Sequence, residues 1–370
     1  MKNEHWENNK DWLISLLACP DCGQELTYDQ SGFNISHMDG VLSCKNCGVF
    51  PVIAGIPRLL PEKYLHIYLA RYYPQILQIL PPPKTSKHLG KIDKEQDIVT
   101  RTMFSFGYQW NTFDNDHIIW DNEYERCMSP LRKEHLTSHH IVADFGCGMG
   151  RMIYRASKEK ARFVGIDLSN AIESASLLCK NRNNVIFVQG DILNPPFKKG
   201  SFDTIYSVGV LHHLPDGISK GITILIKLLK QGGFLHTWLY GAQRGDNKKS
   251  LVMMIRKAIK NLPLKCIYVF SYLYAFFVLI FINIPATILS KINVLDAFVK
   301  KFPFPSWRNM NLNAIACNVF DYYATPIEWG YDKRNLEQEI KKHSQINWEI
   351  KSLSTPLRSD ESWHLYGFKL

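Results

Sequence analysis

The sequence predicts an α/β fold in which buried strands alternate with helices. The stretch IVADFGCGMGR, from Ile141 to Arg151, has the pattern of an apolar strand, a tight glycine turn and a helix start. Three more apolar strands follow in order, RFVGIDLS, NVIFVQGDI and FDTIYSVGVLHHL, and LLKQGGFLHTWLYG adds a helix end, a Gly-Gly turn and a fifth strand. The 370 residues allow two or three domains, and 46% hydrophobic residues can form a full core.

The glycine-rich turn after the first strand predicts a nucleotide-cofactor site. Gly146, Gly148 and Gly150 permit backbone conformations closed to larger residues, and they leave room for a ligand against the main chain at a helix N-terminus. Arg151 stands where a dinucleotide-binding turn has its third glycine, so a nicotinamide cofactor is disfavoured.

Carboxylates end three of these strands. Asp144 ends the first, Asp167 can accept both hydroxyls of a ribose, and Asp191 can accept a hydrogen bond from an adenine amino group. In this order and spacing, roughly residues 101–245 resemble the class I methyltransferases that use S-adenosylmethionine (SAM). The resemblance implies a doubly wound, seven-stranded sheet, with Gly146 and Gly148 admitting the methionine part of SAM and Asp144 orienting its amino group. The implied cofactor-binding residues are Asp144, Gly146, Cys147, Gly148, Gly150, Asp167, Leu168, Asp191 and Ile192.

Two cysteine pairs predict a metal site near the N-terminus. Cys19 and Cys22 lie in CPDCG, Cys44 and Cys47 lie in CKNCG, and 21 residues separate the pairs. This spacing is close to that of tetrahedral zinc sites, and four thiolates leave no open position for water, so the zinc is expected to be structural. The following GVFPVIAGIPRLLP resembles the small zinc-ribbon family that activates tRNA and translation-factor methyltransferases as a partner subunit. Here such a ribbon is fused to its enzyme.

Charge is distributed unevenly along the chain, whose formal net charge is +10. Met1–Glu62 carries four Lys/Arg against eight Asp/Glu, a balance of −4, whereas Asp246–Met310 carries ten Lys/Arg against two Asp, a balance of +8. The N-terminus shows no pattern of a secretory signal, and nine cysteines suit a reducing compartment, so we expect a cytoplasmic protein.

The predicted organisation has five parts. They are a zinc ribbon (1–62), a helix and linker (63–100), the SAM-binding core (101–245), a basic apolar insertion (246–310) and the C-terminal part of the core (311–370).

The insertion predicts either membrane contact or a cap over the substrate. NKKSLVMMIRKAIKNL has the pattern of a basic amphipathic helix, and Cys266–Ser290 contains 25 residues without a charge. A single crossing is disfavoured because the last two strands, INWEIKSLS and SWHLYGFKL, must pair with strands that precede the insertion. The remaining interpretations are an interfacial element over residues 248–290, which would bind an anionic inner membrane surface, or a buried cap over an apolar cavity. The apolar stripe comprises Leu251, Met254, Ile255, Ala258, Ile259 and Leu262, with Lys248, Lys249, Arg256, Lys257 and Lys260 largely outside it.

Aromatic residues at two places are candidates for substrate contact. Tyr108 and Trp110, in RTMFSFGYQWNTF, fit either a lid over the cofactor or a helix packed on the sheet. Tyr322 and Tyr323, with the neighbouring Asp321 and Glu328, fit either the acceptor pocket or a packed connector.

Two histidines at the end of the fourth strand are candidates for catalysis. His213, and less strongly His212, could accept a proton from the acceptor, or both could close the pocket wall. Methyl transfer needs mainly in-line placement of the nucleophile, so a base is not obligatory.

The predicted function is SAM-dependent methylation of an amphipathic or lipid-linked small molecule. One rival is an RNA methyltransferase, since bacterial rRNA guanine methyltransferases also join a four-cysteine ribbon to this fold. That rival predicts basic charge on the ribbon or at the pocket mouth, whereas this chain carries it on the insertion, which disfavours nucleic acid. The other rival is a non-catalytic SAM-binding partner protein.

Overall fold

A small antiparallel unit and several helices precede the catalytic part of the chain. The computed structural model describes residues 4–30, 38–80, 94–113, 117–242, 251–291, 307–308, 310–353 and 362–370. The elements of the first third are α1 (Glu4–Leu16), β1 (Thr27–Asp29), β2 (Met38–Cys44), β3 (Gly48–Ile53), β4 (Ile56–Leu59), α2 (Glu62–Tyr72), α3 (Pro74–Leu77), α4 (Lys94–Thr112) and α5 (His117–Met128). Most of the predicted linker lies outside the described residues, and α4 runs across the predicted boundary at residue 100.

The following segments alternate strand and helix, as the sequence predicts. They are β5 (Ile141–Phe145), α6 (Arg151–Ala156), β6 (Arg162–Asp167), α7 (Ala171–Leu178), β7 (Val185–Gly190), β8 (Phe202–Val208), α8 (Ile218–Leu228) and β9 (Leu229–Tyr240). The insertion and C-terminal part contain α9 (Leu251–Ile259), α10 (Leu264–Val278), a π-helical turn (Leu279–Asn283), α11 (Ile284–Leu289), α12 (Leu312–Ala324), α13 (Lys333–Lys341), β10 (Ile346–Ser352) and β11 (Ser362–Lys369).

The strands form one sheet in the order β1-β2-β3-β4-β7-β6-β5-β8-β9-β11-β10. From β7 to β10 this is the predicted seven-stranded class I sheet, in which β11 runs antiparallel to both β9 and β10. The prediction of the fold class is confirmed, but the sheet is longer than predicted. Strand β4 pairs in parallel with β7, with Arg58 opposite Gln189 and Leu59 opposite Gly190, so the four N-terminal strands extend the sheet to eleven. This pairing covers the edge that β7 would otherwise expose.

The N-terminal unit is also joined to the core by packing. The Ala18 amide donates to the carbonyl of Pro196 at 3.0 Å, and the Lys198 amide donates to Leu16 at 2.8 Å. Trp6 and Leu17 are fully buried in the same hydrophobic cluster as the residues of β6 and β7. The ribbon and the sheet therefore share one core.

A buried arginine anchors β4 to the core. Arg58 has no exposed surface, and its guanidinium donates to Glu173 at 2.9 Å, to the Tyr68 hydroxyl at 3.1 Å and to the side-chain oxygen of Gln189 at 3.2 Å. The amide nitrogen of Gln189 donates in turn to the carbonyl of Leu168 at 3.1 Å. Hydrogen bonds therefore connect the N-terminal unit to the loop after β6.

The first helix of the insertion does not bury the face that the sequence predicts. Arg256, predicted to be largely outside the packed stripe, is fully buried; its Nε donates to the carbonyl of Tyr322 at 2.6 Å and an Nη donates to that of Thr325 at 3.2 Å. Lys260 donates to the carbonyl of Pro326 at 3.1 Å. Arg256 of α9 and Lys260 just after it thus bind carbonyls at and just beyond the C-terminal end of α12, where the helix dipole favours positive charge. Lys248 and Lys249 lie outside the described residues.

Within the part of the chain that the structure describes, Leu264–Leu289 is the one helix that is long and apolar enough to cross a membrane by length and composition. One of its faces packs against α12, with Ile267, Ala275 and Val278 in a cluster that includes Ile315 and Phe320.

Candidate active site

A cavity of about 260 Å³ lies at the carboxyl ends of the parallel strands. Open α/β sheets bind their ligands at this edge, because the loops after the strands converge there. The walls come from the loops after β5 to β8, from the end of β9, and from α4, α5 and α12. We call the part beside Asp144, Asp167 and Asp191 the cofactor end, and the part beside Arg126 and Asp321 the acceptor end.

The glycine loop supplies the floor of the cofactor end. Gly146 and Gly148 have left-handed backbone angles, φ 83° and 54°. A Cβ at Gly146 would lie 2.3 Å from Cγ2 of Val210, and one at Gly148 would lie 3.3 Å from Nε1 of Trp110. The loop therefore needs glycine for both conformation and space.

Eight of the nine predicted cofactor residues line the cavity, and Gly150 does not. Gly150 has φ 82°, and a Cβ there would lie 2.9 Å from that of Ala175. Its role is to let the start of α6 pack closely against α7. The remaining three predicted residues that line the wall are Cys147, Leu168 and Ile192.

Asp167 and Asp191 are held in place by local donors. Asp167 accepts hydrogen bonds from the amides of Gly148 and Ser169, each at 2.8 Å, and from the Ser169 hydroxyl at 2.7 Å. Asp191 accepts from the Leu193 amide at 2.9 Å and from Asn194 at 3.0 Å. Burial raises the pKa of both carboxyls, and these donors oppose that shift. The carboxylates are thus fixed in orientation at the strand ends.

Asp144 is the buried carboxylate that lacks a complete set of partners. It is 2% exposed, it lines the cavity, and its Oδ2 has no hydrogen-bond partner among the described residues. Burial raises its pKa well above the usual range, and nearby Tyr206 and Arg151 act in the opposite direction. A buried carboxyl group is stabilised in its ionised form when a cationic donor binds beside it. The ammonium group of SAM is such a donor, so the residues present fit this cofactor.

The acceptor end is lined by polar and aromatic side chains. Gln109 Nε2 and the Tyr240 hydroxyl each lie 3.4 Å from a carboxylate oxygen of Asp321. Arg126 donates to both carboxylate oxygens of Glu123, at 3.0 and 2.8 Å. The polar and aromatic residues of the lining on this side are Gln109, Glu123, Arg126, Trp238, Tyr240, Asn318 and Asp321, and the same wall also contains Met310, Ala314 and Cys317.

Trp238 provides a second buried group without a partner. It is 6% exposed, it lines the cavity, and its indole Nε1 has no acceptor among the described residues. The guanidinium of Arg126 lies 4.9 Å from its ring centre. From the sequence, Trp238 and Tyr240 are recognisable only as residues at a strand end. Nothing in the local pattern of α5 predicts that Glu123 or Arg126 lines a site.

The two histidines have different positions. His213 lines the cavity and is 6% exposed; its Nδ1 lies 2.9 Å from the carbonyl of Ile327, so Nδ1 carries the proton of this hydrogen bond. His212 does not line the cavity. It is fully buried with its ring centre 4.1 Å from that of Tyr240, so it supports the pocket wall and cannot reach an acceptor there.

Trp110 is the aromatic candidate that lines the cavity, with the Arg151 guanidinium 4.8 Å from its ring centre. Tyr108 does not; it stacks on Phe320 at 5.6 Å. Tyr322 and Tyr323 also lie outside the cavity wall, in the cluster between α10 and α12.

The sequence leaves open whether these three tyrosines contact the substrate or pack against neighbouring helices, and the structure places them in packing. The apolar side of α10 that faces the protein packs against α12 and the end of α4, on the side of these helices that points away from the cavity. Of the neighbouring candidates, Asp321 does line the cavity, and Glu328 is buried away from it.

The four predicted metal ligands come together at the N-terminal unit. The sulfur atoms of Cys19, Cys22, Cys44 and Cys47 all lie within 4.8 Å of one another. Burial raises the pKa of the Cys19 thiol to about 12 against the backbone amides that follow it. At Cys44 burial also acts to raise the pKa, but the amides of Asn46 and Cys47 and the neighbouring cysteines outweigh it and lower the pKa to about 7. Four thiols at this spacing fit a tetrahedral structural zinc ion.

Comparisons with known proteins agree with this geometry. Residues 142–233 match a family model described as Methyltransferase domain, and residues 10–55 match one described as Trm112p-like protein. The sheet order, the glycine loop, the strand-end carboxylates and these matches define the class. The chain carries a class I SAM-dependent methyltransferase domain joined to a Trm112p-like zinc ribbon.

Three curated relatives show how varied similar domains are. The tRNA (carboxymethyluridine(34)-5-O)-methyltransferase alkbh8 of Xenopus tropicalis is 31% identical over 112 residues, 29% of this chain and 17% of that protein. The tRNA U34 carboxymethyltransferase of Psychromonas ingrahamii is 35% identical over 138 residues, 35% of this chain and 39% of that protein. The Sterol 24-C-methyltransferase ERG6B of Gibberella zeae is 26% identical over 155 residues, 36% of this chain and 38% of that protein. The chain spans less than half the length of each.

Proposed function

We propose that this protein transfers the methyl group of SAM to a polar group held at the acceptor end of the cavity, with a structural zinc ion in the ribbon. The observation that carries this proposal is that one cavity is lined by the strand-end carboxylates Asp144, Asp167 and Asp191 and also by Asp321 and Trp238. When bound, SAM supplies an electrophilic methyl group on a sulfonium, and the acceptor's lone pair forms the new bond to carbon as the carbon–sulfur bond breaks.

The residues of the cofactor end bind and orient. Asp144 would accept a hydrogen bond from the ammonium group, Asp167 would accept from the ribose hydroxyls, and Asp191 would accept from the adenine amino group. The glycine loop lets the ligand lie against the backbone. His213 contributes to the wall beside the reacting atoms, where in-line placement of the nucleophile matters most.

The lining of the acceptor end favours an acceptor with hydroxyl, amide or carboxyl groups. Gln109 and Asn318 offer amides, Asp321 offers a carboxylate, and the Trp238 indole offers a donor. An apolar ligand would leave the Trp238 indole nitrogen without an acceptor, at a cost of about 1–3 kcal/mol.

A nucleoside in tRNA is the acceptor class that the comparisons support best. Two of the relatives described above are named as acting on position 34 of tRNA, and the ribbon resembles a family that activates tRNA methyltransferases. Uridine and its modified forms carry the amide and hydroxyl groups that this lining can pair.

A lipid-linked polar group is the second candidate. The similarity to a sterol methyltransferase supports it, as do the exposed apolar side chains of α10. Both candidates present a polar group to the same cavity, so only the carrier of that group differs.

The test is to incubate the purified protein with cell extract and methyl-labelled SAM, and to separate the products into RNA, organic-soluble and protein fractions. Label in tRNA supports the first candidate, and label in the organic phase supports the second and overturns the first. Asp144→Asn should abolish labelling because it removes the anion that pairs with the ammonium group. The matched control is Asp216→Asn, whose carboxylate is 63% exposed in a surface ion pair and which should retain full activity. SAM binding without label in any fraction would overturn the proposal in favour of a non-catalytic partner protein.

A further inference from the structure

Helix α10 and its continuation in α11 present a second apolar face that the protein does not bury. The side chains of Leu273, Phe276, Phe277 and Phe281 are 67, 55, 54 and 62% exposed. Every residue that the structure exposes between Val269 and Ile284 is apolar. They follow helical spacing along one side of a segment that spans Leu264–Leu289, about 39 Å at 1.5 Å per residue.

The area of this face exceeds that of an ordinary soluble surface. When about half of each side chain is exposed, aromatic and large aliphatic residues of roughly 150–250 Å² present on the order of 100 Å² each. The eight large apolar side chains that are exposed from Val269 to Ile288 therefore present on the order of 800 Å² of apolar surface. The largest apolar patch of a typical monomer is about 300–600 Å². Such a patch requires a partner.

The chemistry of the face favours lipid over protein as that partner. A protein interface of this size forms about one hydrogen bond per 100–200 Å², and the exposed side chains between Val269 and Ile284 offer no polar atom for one. Lipid acyl chains need no hydrogen-bond partner. Exposed lysines flank the face, with Lys257 and Lys265 before it and Lys291 after it, and they complement anionic headgroups.

The opposite side of α10 excludes a membrane-spanning position. Ser271, Ala275 and Val278 are buried there, in the packing between α10 and α12. Helix α12 also carries Asn318 and Asp321 on the wall of the cavity. A helix attached to a polar domain along its length can enter only one leaflet, lying in the plane of the interface.

We propose that the α10–α11 face is a monotopic docking surface for an anionic membrane. This proposal does not depend on the proposed function, because it concerns a surface that is separate from the cavity. It places the acceptor end about one helix diameter, roughly 10 Å, from the lipid surface.

The test is co-sedimentation of the full chain with vesicles of phosphatidylcholine containing a quarter phosphatidylglycerol, and with vesicles of phosphatidylcholine alone. We expect binding to the anionic vesicles, weakened by high salt, and weaker binding to the neutral ones. The variant with Phe276→Ser, Phe277→Ser and Phe281→Ser should lower the partition coefficient ~10-fold or more. The matched control is Leu177→Ser on α7, which is 67% exposed, as Leu273 is, and should bind as the wild type does.

A second measurement uses the unsubstituted helix, so it does not depend on the folding of a variant. Cys266 is exposed at the start of α10 and can carry an environment-sensitive fluorophore, with Cys266→Ser as the labelling control. A blue shift on adding anionic vesicles supports docking. Absence of both sedimentation and shift overturns the proposal. It is also overturned if the serine variant merely converts a dimer to a monomer without any vesicle binding, because the face would then join two copies of the chain.

Discussion

Substitution of Gly146 by alanine tests whether the glycine loop is the cofactor site. The residue has φ 83°, and a Cβ there would lie 2.3 Å from Cγ2 and 2.7 Å from Cγ1 of Val210. Carbon atoms in contact are about 3.5–4.0 Å apart, so Val210 must move by more than about 1 Å. Because Val210 lines the cavity, this movement changes the space available to the ligand.

The free-energy cost of Gly146→Ala has a conformational part and a packing part, and a matched variant can separate them. A left-handed conformation costs alanine roughly 1–2 kcal/mol, and overpacking costs a further ~1–3 kcal/mol. Gly200 has φ 63°, and no atom lies within 4 Å of the place that a Cβ would occupy, so Gly200→Ala carries the first cost without the second.

Calorimetric titration with SAM and thermal unfolding without it provide the two readouts. We expect both variants to unfold at a lower temperature, and only Gly146→Ala to weaken SAM binding, by about 10- to 100-fold, or ~1.4–2.8 kcal/mol. If Gly146→Ala binds SAM within twofold of the wild type while remaining folded, the loop does not hold the cofactor and the assignment of the cofactor end is refuted.

Three further predictions concern stability. Glu173→Gln should lower the free energy of unfolding in urea by about 3–5 kcal/mol, because it leaves the fully buried Arg58 cation without its counter-ion, whereas Arg58→Leu should cost less, because the remaining carboxylate is 39% exposed and water can replace the arginine; equal losses would contradict this. The buried, hydrogen-bonded pair His236 and His364 should make the protein less stable in acid: burial holds the pKa of His236 well below the usual range and that of His364 at about 4, so their contribution is present above the unfolded pKa of about 6.5 and is lost as the pH falls toward 4. A double His→Gln variant should flatten this part of the profile of unfolding temperature against pH. Metal analysis should find one zinc ion per chain, and chelation or Cys22→Ser should release it and lower the unfolding temperature, whereas an unchanged temperature would show that the ribbon folds without metal.

The sequence predicts which strand-end residues meet in the cavity, because these residues belong to local patterns. Asp144, Asp167 and Asp191 each follow a recognisable apolar strand, and parallel strands bring their carboxyl ends to one edge. The four cysteines are predictable for the same reason, since each pair lies within one short turn. In these places the spacing along the chain nearly determines the spacing in the structure.

The acceptor end and the insertion depend on contacts that spacing does not reveal. Periodicity predicts that α9 has two faces, but only the carbonyl groups at the end of α12 determine that Arg256 points inward. Tyr108 belongs to an aromatic segment that suits a pocket, yet its ring packs against Tyr268 of α10 and Phe320 of α12. The pairing of β4 with β7 joins residues 131 positions apart, and no local signal marks it.

That distant pairing sets the order in which the protein can fold during synthesis. Strand β4 leaves the ribosome about 130 residues before its partner β7, and at 5–20 residues per second this is a wait of about 7–26 s. At the other end of the sheet β9 also waits for its partner, because β11 is made after β10 yet lies between β9 and β10. The edge of β4 stays unpaired until β7 is made and that of β9 until β11 is made, and a ribbon already closed by its metal would present a formed edge for β7 to join.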